Sequence, residues 1–276
     1  MPVEDPSVGI GPQSQRCGQR GVADWWANSI CRMEPGVVEL RGIPVQELIG
    51  HRGLVSTIWL MVRGSSPTTA EAALLEAAMV ASVDHGPQAP SIAIARMTAT
   101  CGVGMNNAIA SGVNALGDSH GGAGQQCVEL LSDIVARESA GAALDAATAE
   151  VVAEYRARDP YLPGFGHRFH PVDPRRDPLL GLVDEAVSAG IVEGRHVAAA
   201  RAVETELNRG RREPVPMNID GATAVIYAEL GFPPELARGL FVLSRSVGIL
   251  AHAWEETNSG RRNKGPMPTS ILPTYR

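Results

Sequence analysis

From Leu54 to Trp254 the apolar residues of this chain recur at helical spacing, with no run that alternates as a half-buried strand must. Leu54, Ile58, Met61 and Val62 share one face that closes near Gly64. Thr68 and Glu71 spell a capping box, and Leu74, Leu75, Ala78 and Met79 carry on the stripe it starts. The Ala/Gly/Ser-rich stretch 91–116 lets helices pack with their backbones close, and a long small-residue helix is expected to stop at Gly117. Further helical periods fall at 128–139, 143–155, 179–189, 197–207 and 222–230. A last long helix shows Leu236, Leu240, Leu243, Val247, Leu250 and Trp254 on one side. Only 30–49 alternates, around Glu34-Pro35-Gly36, which predicts a small β-hairpin with Val37, Val38 and Leu40 in its second strand. The first twenty residues read as a loose arm. The expectation is an all-α fold with a short N-terminal hairpin, which argues against a Rossmann-type or barrel enzyme.

A chain of 276 residues with 44% hydrophobic and 20% charged residues can bury a sizeable core. A net charge of −6 argues against nucleic acid as the main partner, so an anionic ligand would need a local nest of arginines. Cys17, Cys31, Cys101 and Cys127 show no C-x-x-C spacing and are expected to be reduced thiols. No signal peptide opens the sequence, and no apolar run reaches the roughly 20 residues of a bilayer span. No membrane partner and a cytoplasmic location are expected.

The chemistry concentrates on three loops. In GFGHRFHPVDPRRDP (164–178), His167 follows two glycines and precedes Asp173-Pro174-Arg175, which suits a small carboxylate-bearing substrate with a carbonyl or hydroxyl to polarise. In GDSHGGAG (117–124), His120 lies on a glycine-rich link where a ligand can approach backbone N–H groups. In VPMNIDGATAVIY (215–227), Asp220 stands among apolar neighbours where a helix begins. It reads either as a helix N-cap or as a carboxylate of raised proton affinity, the base a weak carbon acid needs. Two histidines and an aspartate with arginines nearby fit proton removal α to a carbonyl, where donors aimed at the developing oxyanion matter most. The spacings lack H-x-x-x-H or a tight ligand cluster, so no metal site is expected.

These residues resemble the citrate synthase superfamily, and most closely its short citryl-CoA lyase-like branch, similar to the C-terminal lyase module of ATP citrate lyase. The resemblance runs from about Trp25 to the end. It covers WWANSICRMEPGVVELRGIPVQELI, then LVSTIWLMVRGSSPTTAEAALLEAAMVASVDHG, then HGG, GFGH…DPR, NIDG and LSRSVG in family order. It implies a two-domain helical homodimer with the active site in a cleft closed by domain movement. The large domain would comprise 1–123 and 227–276, and the small domain 124–226. By the same resemblance, Asp220 moves the methyl proton of acetyl-CoA, His120 hydrogen-bonds the thioester oxygen, and His167 contacts the keto-acid carbonyl. His85, Arg175 and Arg245 would hold the oxaloacetate or citryl carboxylates. Pro163, Gly164, Phe165 and Gly166 form the loop on which the CoA adenine rests, with Arg168 near its phosphates. Lys264-Gly265-Pro266 stands where synthases carry an Arg-Pro that reaches the partner's substrate, so Lys264 is the candidate there, without an arginine's bidentate geometry. Pro171 occupies a place that is basic in many relatives.

The resemblance implies a reversible Claisen-type cleavage of citryl-CoA to acetyl-CoA and oxaloacetate, with coenzyme A as substrate moiety and no tightly bound cofactor. The alternative is a citrate or 2-methylcitrate synthase-type condensation of an acyl-CoA with a 2-keto acid. A regulatory subunit that kept the fold and lost turnover is a third reading. The sequence has no Gly-x-x-x-x-Gly-Lys-Ser/Thr phosphate loop, which fits a chain that does not itself use ATP. A lyase that acts after a separate citryl-CoA synthetase is a further reading, and the missing loop does not identify that partner.

Overall fold

The structure, a computed structural model, describes residues 21–166 and 171–276. It divides into a unit ending at Pro67 and a second unit, Thr68–Arg276.

The first unit holds a helical turn at 21–25 (α1) and then the expected hairpin, β1 (Cys31–Glu34) against β2 (Val37–Leu40). The Pro35–Gly36 turn sets the register Glu34↔Val37. A third strand, β3 (Ile43–Pro44), adds to β2 through the Arg41–Gly42 turn, so the hairpin is one edge of a three-stranded antiparallel sheet. Two residues are too few to show an alternation, which is why β3 was not legible. α2 (Val45–Leu48) and α3 (Leu54–Arg63) follow, α3 closing on Gly64 as expected.

The second unit is helical. α4 (Thr69–Ser82) opens on the capping box: Thr68 N donates to Glu71 Oε2 (2.7 Å) and Glu71 N to Thr68 Oγ1 (3.2 Å). The small-residue stretch is not one long helix. It forms α5 (Pro90–Ala99) and α6 (Met105–Asn114), broken at 100–104, and α6 ends three residues before Gly117. Close approach explains the composition: a Cβ on Gly112 would stand 2.8 Å from Ser91 O and 2.9 Å from Ile249 Cγ2. Ile92, Ala95, Ala108, Ile249 and Ala253 make one core there.

α7 (Ala123–Ser139), α9 (Arg176–Ser188), α10 (Arg195–Asn208) and α4 pack around α11 (Ile219–Glu229), and α8 (Leu144–Arg158) lies against α7 and α10. Every residue of α11 from Gly221 to Ala228 is buried, the pattern of a helix enclosed on all sides. Remote side chains cap its neighbours: the Glu229 carboxylate accepts the Gly194, His196 and Val197 N–H groups before and in the first turn of α10.

α12 (Pro234–Thr257) corrects two expectations. It has the length and apolar content of a bilayer span, which no run was expected to reach. Its stripe is also only partly a core stripe: Leu240 is buried, but Leu243, Val247, Leu250 and Trp254 are 44–60% exposed. The inward face carries Ala237, Ser244, Arg245, Gly248, Ile249, Ala253 and Glu256. Small residues bring α12 closest to its neighbours, Gly248 lying directly against Val83 O. Periodicity identifies both stripes but does not say which faces inward.

Candidate active site

Asp220 is not the helix cap. Asn218 caps α11, its Oδ1 accepting from Asp220 N (2.9 Å) and Gly221 N (3.2 Å), and Asp220 sits in the first turn. Asn218 also reaches backwards: its N donates to Gly164 O (2.9 Å) and its Nδ2 to Gly166 O (2.7 Å). Gly166 N returns a bond to Pro216 O (2.8 Å), and Phe165 pairs with Met217 as a single antiparallel bridge. The Gly164–Gly166 turn and the start of α11 are therefore one woven element. Gly164 is required there, because at φ 84 an added Cβ would also stand 2.6 Å from the buried Cys127 Sγ.

This element borders a cleft of about 1150 Å³. Asp220, His85 and the predicted loop Pro163, Gly164, Phe165 and Gly166 all line it. Asp118 and Ser119 of the 117–122 link also form wall, as do Arg158 and Arg211. Arg158 lies over the Tyr155 ring, its Cζ 5.4 Å from the centroid. Asp220 is partly buried, and its charge raises the proton affinity of both Cys127 and Tyr227 beyond what their complete burial already does.

His120 is fixed from behind. Its Nε2 accepts the Ser91 N–H (3.1 Å) and lies 2.9 Å from Ser91 Oγ. A nitrogen that accepts a backbone N–H carries no proton, so the ring proton belongs on Nδ1. Burial pushes the imidazole pKa down and the nearby Arg245 charge pushes it further, favouring the neutral ring. A neutral imidazole with one outward N–H is a hydrogen-bond donor to an oxyanion that does not itself give up the proton.

Arg175 and Arg245 both lie at the C-terminal end of α4, and neither they nor His120 are among the residues that line the cleft. Arg245 is 6% exposed; its Nε donates to Ser82 O (3.1 Å) and its guanidinium lies 5.0 Å from the Phe241 ring centre. Arg175 donates to Ala81 O (3.2 Å) and pairs with the buried Asp173 through Nε (2.9 Å) and Nη2 (2.8 Å). Ser244 Oγ adds a bond to Met79 O. The last carbonyls of a helix have no intrahelical partner, so this end suits cations. Burial lowers the proton affinity of Arg245; Asp220 and Asp84 oppose that, and Arg175 adds to it.

Lys264, expected at the partner's substrate, does not line this chain's own cleft. Its Nζ pairs with the wholly buried Glu256 (2.8 Å), which also receives Arg96 and Arg261. Burial pushes the Glu256 carboxyl up, but bonds from Lys264 and Arg96 hold it at about 2. His167 and Arg168 lie outside the described residues. Among the described residues no three His, Cys, Asp or Glu side chains gather to hold a metal ion. Ser91, Asn218 and Asp173 were not singled out from sequence. Asn218 and Asp173 stand inside the NIDG and DPR motifs, but only coordinates show what they fasten.

The citrate synthase C-terminal domain family matches residues 51–266. The chain belongs to the citrate synthase family. A citrate synthase of Acidithiobacillus ferridurans is 29% identical over 73% of this chain and 51% of its own length. ATP-citrate synthase subunit 1 of Sordaria macrospora is 30% identical over 76% of this chain and 32% of its own. This citrate synthase-family chain thus spans about half of the first relative's length and about a third of the second's. The solved citryl-CoA lyase of Hydrogenobacter thermophilus is of matching extent: 30% identity, a TM-score of 0.79, 91% of this chain and 94% of that one.

Proposed function

We propose that this chain cleaves citryl-CoA reversibly to acetyl-CoA and oxaloacetate. The observation that carries the reading is one cleft lined at once by Asp220, His85 and the Pro163–Gly166 loop. In the lyase direction, His167 takes the citryl hydroxyl proton as the carbon–carbon bond breaks. The electron pair passes to the thioester enolate, whose oxygen accepts from Nδ1–H of His120. Asp220 in its acid form gives a proton to the enolate carbon, which yields acetyl-CoA. Arg175, Arg245 and His85 hold the departing keto acid, and coenzyme A stays thioester-bound throughout, entering in citryl-CoA and leaving in acetyl-CoA. The end-to-end likeness to a citryl-CoA lyase favours this direction over condensation.

The exposed row Leu243, Val247, Leu250 and Trp254 on α12 supports a homodimer that covers it, and residues 124–226 would form the smaller lobe that moves about the cleft. A separate synthetase would make the citryl-CoA. Incubation with citryl-CoA, and separately with acetyl-CoA and a panel of 2-keto acids, tests the function. Inert citryl-CoA beside rapid condensation that frees CoA would establish the synthase-type alternative instead.

A further inference from the structure

A charged network reaches the cleft wall from behind. His252, on α12, stands between Asp84 and Arg96: its Nε2 is 3.2 Å from Asp84 Oδ2, and its Nδ1 is 2.9 Å from Arg96 Nη1. A guanidinium nitrogen can only donate, so Nδ1 accepts and the ring proton sits on Nε2, aimed at Asp84. Arg96 cannot easily turn away, since its Nε and Nη2 hold Glu256 Oε2 at 2.7 and 2.6 Å and its Nη1 meets Glu255 at 2.6 Å. Glu256 in turn is held by Lys264, and the Asn263 and Lys264 N–H groups donate to Thr100 O (3.1 Å) and Oγ1 (2.9 Å).

At the near end, Asp84 Oδ2 also accepts the Gly86 N–H (3.1 Å), and Gly86 holds φ 83. One carboxylate oxygen therefore closes the 84–86 turn and receives the His252 proton. The residue between them, His85, lines the cleft. Asp84 has a competing attraction, because its charge also acts on Arg245.

We propose that His252 is a positioning residue for the keto-acid end of the site: held as the Nε2–H tautomer by Arg96, it fixes Asp84, and with it the turn that presents His85. The inference deepens the citryl-CoA reading and rests on His85 meeting the substrate. Without the His252 bond, Asp84 is free to swing toward Arg245 and to occupy the guanidinium that the substrate carboxylates need. Weakening falls on the acid end and spares the CoA end.

The test compares His252→Ala with His252→Gln, whose amide N–H can stand in for Nε2–H. His252→Ala should raise KM for citryl-CoA about tenfold, the scale of one hydrogen bond to a charged group, with kcat changed less. CoA binding by calorimetry should stay within about twofold of the parent, and His252→Gln should recover most of the loss. Unchanged KM in His252→Ala, or His252→Gln as impaired as His252→Ala, overturns the proposal. So does a ¹⁵N spectrum of the unaltered protein that shows His252 protonated on Nδ1 at neutral pH. That last measurement needs no turnover and no variant, so a chain inert toward citryl-CoA would sink the lyase reading while the spectrum still decides the role of His252.

Discussion

Arg245 and Arg175 are fastened to adjacent carbonyls of a single helix end, Arg245 Nε to Ser82 O at 3.1 Å and Arg175 Nη1 to Ala81 O at 3.2 Å. Arg175 is already paired with Asp173, so the buried Arg245, disfavoured by burial and by the Arg175 charge, is the cation that an anionic ligand would relieve. Oxaloacetate or citrate should therefore stabilise the protein. At a hundredfold excess over Kd the gain is about 2.7 kcal/mol, a rise of roughly 5–10 °C in Tm. Arg245→Met should abolish the rise in a thermal scan; a full rise in that variant would place the acid elsewhere.

Asp220→Asn keeps the shape of the first turn of α11 and removes its acid. Turnover of citryl-CoA should fall by about 10²–10⁴-fold, with calorimetric CoA affinity unchanged. A loss confined to KM would mean that Asp220 binds the substrate and does not move a proton.

His120 sets a pH dependence whose sign follows from its surroundings. Its folded pKa lies below the ordinary histidine value of about 6.5, so the unfolded chain binds the proton more readily. Its contribution to stability is thus complete above that value and is lost as pH falls from there through the folded pKa. Denaturant titrations at pH 7.5 and 5.5 should show this loss, and His120→Gln should remove its share of it.

Glu256 answers in a lower range. With its carboxyl held at about 2 against an ordinary value of 4.5, its charged form supports the fold above pH 4.5, and that support drains as pH falls toward 2. The support is on the order of 3 kcal/mol. Glu256→Gln leaves Arg96 and Lys264 without their buried partner and should cost roughly 3–5 kcal/mol in urea melts at pH 7, with a flatter acid limb.

Gly164→Ala tests the turn beside Asp220. A methyl group there meets Cys127 Sγ at 2.6 Å and Gly221 Cα at 2.9 Å, in a backbone conformation costly for alanine. Stability should drop by roughly 1–3 kcal/mol, with a larger proportional loss of activity than of stability. Cys127→Ala in the same chain would relieve the first contact and only part of the loss.

Most of the helices were legible because their apolar spacing and caps are local: Thr68 and Glu71 announce α4 before any contact is known. The break at 100–104 was not, because alanine and glycine supply no contrast between faces. On its position alone Arg245 passes for a solvated helix arginine; the sign of burial in the sequence is the apolar and small character of Phe241, Gly248 and His252 on its face. Lys264 was expected at the partner's substrate by its place in the family pattern; within its own chain it engages Glu256, a partner eight residues away that nothing in the spacing marks. Charge pairing of that kind depends on where a chain turns after its last helix, and periodicity is silent on turns.

The reach of Asn218 in both directions, to Gly164 and Gly166 and to the first turn of α11, has a mechanical consequence. On the proposed reading, a hinge that swings the walls apart to let product out need not disturb the spacing between Asp220 and the loop meant for the CoA adenine, since both ride on the same knot of backbone. The timing of release would in this way be decoupled from the aim of the chemistry.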